Sequence, residues 1–89
     1  MLQERVIIIN KLGLHARAAA RFVAHANRYG SYILVKRNDQ TVNGKSILGM
    51  MMLAATQHTE IDLVIDGEDE VLAMEDLVLL IAERFGEAE

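Results

Sequence analysis

The chain has no cysteine, no proline and no tryptophan, and each absence narrows what it can be. Without cysteine there is no disulfide, no thiolate zinc ribbon and no thiol nucleophile, so the hydrophobic core must stabilise the fold alone. Aromatic residues are few: Phe22, Tyr29, Tyr32 and Phe85. That scarcity, with a net charge of −4, argues against nucleic acid as a partner. No apolar run approaches the roughly 18–20 residues of a membrane span, and Met1 is not followed by a basic segment and apolar signal core. A cytoplasmic protein that does not associate with membranes is expected. With no proline, no Ser/Gly-rich linker and no internal repeat, residues 1–89 read as a single domain.

What is present is the composition of an ordinary globule, 52% hydrophobic and 25% charged. The charge is unevenly placed. Residues 1–45 sum to +6, with Lys or Arg at 5, 11, 17, 21, 28, 36, 37 and 45 against Glu4 and Asp39. Residues 46–89 sum to −10, with Arg84 their only base. Such a split fits an anionic ligand or an acidic partner at the basic half, or two solvated faces that merely differ in sign.

Val6-Ile7-Ile8-Ile9 is a β-branched run and predicts a strand covered on both faces. Asn10 to Leu14 breaks it with a loop. From Ala16 to about Tyr29 alanine and arginine favour a helix, with Ala19, Phe22, Val23 and Ala26 on one buried stripe and Gly30 as its stop. Tyr32–Arg37 and Gln40–Asn43 form a hairpin across an Asn38-Asp39 turn. Ser46 is a good N-cap for a helix to about Ala55. Ile61, Leu63 and Ile65 alternate with acids, which marks a strand with one wet edge or face. Glu68–Phe85 is the longest expected helix, with Val71, Met74, Leu77, Val78 and Ile81 as its apolar stripe. The order βαββαβα predicts an α+β fold, a two-layer sandwich of a four-stranded antiparallel sheet with three helices on one face.

Two segments could carry chemistry. In Gly13-Leu14-His15-Ala16-Arg17, His15 stands where an N-cap belongs and leaves the amides of Arg17 and Ala18 without the usual side-chain acceptor. Bare amides at the positive end of a helix form an anion site, and the same field favours a neutral, nucleophilic imidazole. Arg17 could neutralise a phosphate held on the ring. Taken alone, a loop histidine beside an arginine fits plain surface equally well. His25 and His58 have no neighbouring residues at metal-ligand spacing and read as surface; no metal site and no cofactor is expected. No acid–base pair of a hydrolase can be argued from sequence order either.

The second segment is Ser46-Ile47-Leu48-Gly49-Met50-Met51-Met52-Leu53. Winding at 3.6 residues per turn puts Met50 and Leu53 in the core, with Gly49 permitting close approach. Ile47, Leu48 and Met51 then form an exposed, adaptable patch of the kind that docks partners. The alternative is a helix buried all round. Gly44-Lys45-Ser46 is no P-loop, because Asp39 stands where that loop needs glycine.

Together the two segments resemble the HPr family, the histidine phosphocarriers of the bacterial phosphoenolpyruvate-dependent phosphotransferase system. Asn10-Lys11-Leu12-Gly13-Leu14-His15-Ala16-Arg17 is similar to the family's active-site signature, and Lys45-Ser46-Ile47-Leu48-Gly49-Met50-Met51 to its regulatory-serine signature. Their spacing, the chain length, the element order and the Phe85-Gly86 ending agree as well. The resemblance implies an open-faced β-sandwich and a monomeric carrier that is not itself an enzyme. It implies that His15 takes phosphate on Nδ1 from phosphorylated enzyme I and passes it to a IIA component, in a sugar or a nitrogen-related branch. Arg17 would stabilise the phosphate, with the amides of Ala16, Arg17 and Ala18 binding it. Ser46 would be the target of an HPr kinase/phosphorylase, and Ala20, Ile47, Leu48 and Met51 would dock partners. The basic face to be met would hold His15, Arg17, Arg21 and Lys45, and the acidic half would be outer surface. One departure stands out: many members have proline after the arginine, where this chain has Ala18. The rival reading is a purely regulatory, HPr-like binding module of a nitrogen-related or incomplete system.

Overall fold

The computed structural model describes residues 1–89. Its elements run β1 (Leu2–Ile7), α1 (Ala16–Ala26), β2 (Tyr32–Arg37), β3 (Gln40–Asn43), α2 (Ile47–Met52), β4 (Glu60–Asp66) and α3 (Glu70–Ala82), followed by a short 3₁₀ turn over Arg84–Gly86. The strands form one antiparallel sheet in the order β1-β4-β2-β3. Register explains the two layers. Leu2, Ile65 and Ile33 lie in one cross-strand row, and Leu63 and Val35 in the next, all on the face beneath the helices. The opposite face carries Arg5, Asp62 and Lys36 in a row, with an Arg5 Nε–Asp62 Oδ1 contact of 3.0 Å, and stays open to solvent. Alternation along each strand thus produces a sandwich with one covered side. No helix is long and apolar enough to cross a membrane.

The core joins Phe22 of α1, Met50 and Leu53 at α2, Leu77 and Ile81 of α3, and Phe85 beyond it. Ala18, Ala19 and Ala26 let α1 approach its neighbours closely, and all three are fully buried. Truncating a fully buried Phe22 to alanine would cost about 3–5 kcal/mol.

Several expected boundaries shift, each for a physical reason. The first strand is Leu2–Ile7 rather than 6–9, and it is an edge strand. Because helices cover only one face of the sheet, the run is not covered on both faces: Ile8 is buried, but Ile7 is 49% exposed. Helix α1 stops at Ala26 with Asn27 as its cap, and Gly30 is not the stop. The Gly30 amide instead donates to Asp69 Oδ2 at 2.9 Å, and Ser31 N–H to Asp69 Oδ1 at 3.1 Å, which ties the α1–β2 turn to the start of α3. Those bonds hold the Asp69 carboxyl below its usual range, chiefly through the Ser31 hydroxyl and the Gly30 amide. Helix α2 ends at Met52, short of Ala55.

Helix α3 is shorter than 68–85 at both ends. Val71 is 56% exposed and not in the core stripe, whereas Ala73, which the apolar stripe omits, is buried. At the far end Arg84 and Phe85 adopt left-handed φ of 58° and 54°. Such a conformation costs about 1–2 kcal/mol for each of the two residues, and burying the Phe85 ring returns roughly 1.5–3 kcal/mol of it. The reversal sends the last residues back toward the start of α1.

Candidate functional site

His15 is the N-cap of α1, with extended backbone (φ −75°, ψ 177°) and no capping bond from its ring. Its carbonyl accepts the Ala19 amide at 2.8 Å, but the amides of Ala16, Arg17 and Ala18 find no backbone acceptor. The expected cluster of bare donors at the positive end of the helix is therefore in place. Arg17 is exposed and enters no ion pair, so its guanidinium is available to an incoming anion.

The loop before His15 is fixed by Gly13. Its φ is +66°, and a Cβ there would lie 2.6 Å from the Ala55 carbonyl oxygen and 2.8 Å from Thr56 Cα. Both obstacles are backbone, so only glycine allows this approach. The Leu14 amide then bonds Ala55 O at 2.8 Å, and Leu14 itself is buried as an anchor beneath His15.

The C-terminal tail completes the site, which the sequence reading missed. Glu87 bonds His15 Nε2 through one carboxylate oxygen, and its other oxygen accepts Asn10 Nδ2 at 2.9 Å. Asn10 is fully buried and also donates to Gly13 O at 2.7 Å, so one amide nitrogen braces loop and tail together. Arg21 donates to the Phe85 carbonyl, and Lys11 N–H to Glu89 O at 2.7 Å. Burial pushes the Glu87 carboxyl upward, but bonds from Asn10 and His15 and the charge of Arg21 outweigh it and hold the group below its usual range. Glu87 is thus ionised at neutral pH. His15 Nδ1 has no hydrogen-bond partner in the chain. An open cleft lies here between Lys11, Leu12, His15, Arg17, Arg21 and the tail. Glu87 belongs to the acidic half expected to be outer surface; the signal for it would have been a short acidic tail following a glycine in a chain whose other end is basic.

The positive groups of the basic half are more fixed in place than the sequence suggests. Arg21 donates to Phe85 O and Lys45 Nζ to Tyr29 O at 2.6 Å, which fixes their positions while leaving their charge in place, since both acceptors are neutral. His25 is also no plain surface residue. Its Nδ1 meets Asp76 Oδ1 at 2.9 Å, while the Tyr29 hydroxyl donates to Asp76 Oδ2 at 2.6 Å, clasping α1 to α3. His58 is exposed.

Ser46 caps α2 as expected, its Oγ accepting the Gly49 amide at 3.0 Å. Met50 and Leu53 are fully buried, and Gly49 would place a Cβ 3.3 Å from Asn43 O, so the helix does sit close to β3. Ile47, Leu48 and Met51 are exposed, joined by Met52, with Leu48 the most open at 69%. Ala20 and Arg17 lie on the solvent side of α1, which packs beside α2. Ser46 and this patch do not line the His15 cleft.

The family described as "PTS HPr component phosphorylation site" matches residues 2–83. The phosphocarrier protein HPr of Neisseria meningitidis serogroup A is 53% identical over 89 residues, covering 100% of both chains. Among solved structures, HPr-C-His from Thermoanaerobacter tengcongensis superposes with a TM-score of 0.96 at 43% identity, covering 100% of both chains. A structure described as an HPr dimer from the same organism gives a TM-score of 0.79 at 44% identity, covering 98% of this chain and 100% of that one.

Proposed function

The chain belongs to the HPr family, the phosphocarriers of the phosphotransferase system, and we propose that His15 is the residue on which it carries phosphate. A phosphocarrier is a relay, not a catalyst. The observation that carries the assignment to His15 is a ring with Nε2 held by Glu87 and Nδ1 unpartnered, at a helix start whose first amides are bare. The Nδ1 lone pair attacks phosphorus, and the three developing negative oxygens meet the amides of Ala16, Arg17 and Ala18 and the unpaired Arg17 guanidinium. A purely regulatory module needs no such nucleophile, which favours the carrier.

The donor is phosphorylated enzyme I and the acceptor a IIA component, meeting the exposed Ile47, Leu48, Met51 and Met52 and the nearby Ala20. Leu12, exposed at the lip of the cleft, adds an apolar contact beside His15. The working form is a cytoplasmic, single-domain monomer. Ser46 is the site of an HPr kinase/phosphorylase: a phosphate there suits the start of α2 and adds about −1.5 to −2 charges beside the docking patch. It acts by repelling an acidic partner surface rather than by unfolding. A Ser46→Asp variant should be phosphorylated more slowly by enzyme I with unchanged circular dichroism; a melted helix would sink the electrostatic account.

The central test is incubation with enzyme I and phosphoenolpyruvate. One added phosphate is expected, labile in acid and stable in base. Its survival in His15→Ala would overturn the assignment.

A further inference from the structure

Glu87 lies far from His15 in sequence and reaches it only because the chain reverses at Arg84-Phe85-Gly86. Phe85 is buried as the anchor of that reversal, and the Glu87 amide closes it by donating to Arg84 O at 2.9 Å. The carboxylate is then gripped from two sides, by His15 Nε2 and by the buried Asn10 amide nitrogen. The orientation of Asn10 follows from this contact, since turning its amide over would point Oδ1 at an anion. The tail is held a second time where Lys11 N–H meets Glu89 O at 2.7 Å.

We propose that Glu87 is a positioning residue for phosphotransfer: its carboxylate fixes the proton of His15 on Nε2, presents the Nδ1 lone pair to the donor, and balances the charge that the ring gains. The proposal rests on the reading of His15 as phosphoryl acceptor. The step balances without moving a proton. Nδ1 donates its pair to phosphorus, the bond from phosphorus to the donor's nitrogen breaks, and that pair returns to the donor. The ring keeps Nε2–H and becomes a phosphorylated imidazolium facing the Glu87 carboxylate. When phosphate moves on, the N–P pair returns to Nδ1 and the neutral Nε2–H tautomer is restored.

The test uses the full chain with ¹⁵N-labelled histidine, read by NMR at alkaline pH where imidazole is neutral. Wild type should show His15 as the Nε2–H tautomer. Glu87→Ala should show a mixture of tautomers and a maximal rate of phosphorylation by enzyme I lower by about tenfold or more, with half-saturation unchanged. Glu87→Gln keeps an oxygen for Nε2–H but no charge, so it should restore the tautomer and only part of the rate. A chain ending at Gly86 should behave as Glu87→Ala does. An unchanged tautomer in Glu87→Ala overturns the proposal, and a lowered melting temperature with that result makes Glu87 a clamp on the tail and nothing more. The tautomer does not depend on phosphotransfer. Failure of wild type to take phosphate therefore strikes at the reading of His15, and an unshifted tautomer strikes at Glu87 alone.

Discussion

His15 and His25 stand at opposite ends of α1, and each meets a carboxylate from the C-terminal part of the chain: Glu87 for the first, Asp76 for the second. Both rings are half-buried. The difference lies in which nitrogen is used and what surrounds the other. His15 spends Nε2 and keeps Nδ1 free beside bare helix amides and an unpaired arginine. His25 spends Nδ1, at the end of the helix where carbonyls and not amides project. Arg28 is within 3.9 Å of Asp76, so the nearest guanidinium is drawn to that pair. A histidine–carboxylate pair is thus no mark of function by itself. At one end of α1 it leaves Nδ1 open beside bare amides, where we place the phosphoryl acceptor; at the other it joins two helices.

The sharpest break of the comparison is removal of each ring. His15→Ala should abolish phosphorylation by enzyme I, while His25→Ala should leave the rate within about twofold, since nothing it touches meets phosphate. Loss of transfer in His25→Ala without loss of fold would erase the distinction. The arginines should part in the same way but less steeply. Arg17→Ala removes the guanidinium proposed to meet the transferring phosphoryl group and should slow transfer on the order of 10²-fold. Arg28→Ala should not change it. Stopped-flow rates with phosphorylated enzyme I would separate the two.

The asymmetry between the ends was half legible in the sequence. His15 at an N-cap position, followed by Arg17, is a local pattern, and so is Ser46 at the start of α2 with Met50 turned in and Leu48 turned out. Local periodicity records these because each depends on a few neighbouring residues. The pairs Glu87–His15 and Asp76–His25 depend on how α3 and the tail pack, which no short window contains. The end of α3 shows why. Residues 68–85 carry helical preference throughout, yet the helix stops at Ala82 and Phe85 turns back into the core. Val71 failed as a core residue for a related reason. The buried face of α3 follows Ala73, Met74, Leu77 and Ile81, and the small side chain of Ala73 is what permits close packing there. Four β-branched residues at 6–9 announce a strand, but not that helices cover only one face of its sheet.

At the structural end of α1, the expected effect is on stability alone. Burial pushes the Asp76 carboxyl up, but hydrogen bonds from Tyr29 and His25 with the charge of Arg28 hold it below the usual range. The same contact holds the Tyr29 phenol above its ordinary value, chiefly through its bond to Asp76. A depressed carboxyl contributes stability that is present above its unfolded value of about 3.9 and is lost as pH falls through the folded value. Asp76→Asn should cost about 1–3 kcal/mol near neutrality and flatten the acid limb of the stability curve. Urea melts from pH 7 downward would check both, and an unchanged acid limb would remove Asp76 from the account.

The smallest effect concerns Ala18, which keeps an N–H where many family members have proline. That amide is the third of the helix and has no backbone acceptor, so proline there removes no intrahelical bond. Ala18 is also fully buried, and the added ring must fit among its neighbours. With the Ala16 and Arg17 amides and the Arg17 guanidinium still in place, loss of the Ala18 amide in Ala18→Pro should change the transfer rate by no more than about threefold. A loss on the order of 10²-fold, with the melting temperature unchanged, would make the third amide the dominant phosphate donor of the three. A gain of that size would show instead that alanine leaves the start of α1 too loose to hold the anion. Either large result would sharpen the contrast with the His25 end, where no amide is left to count.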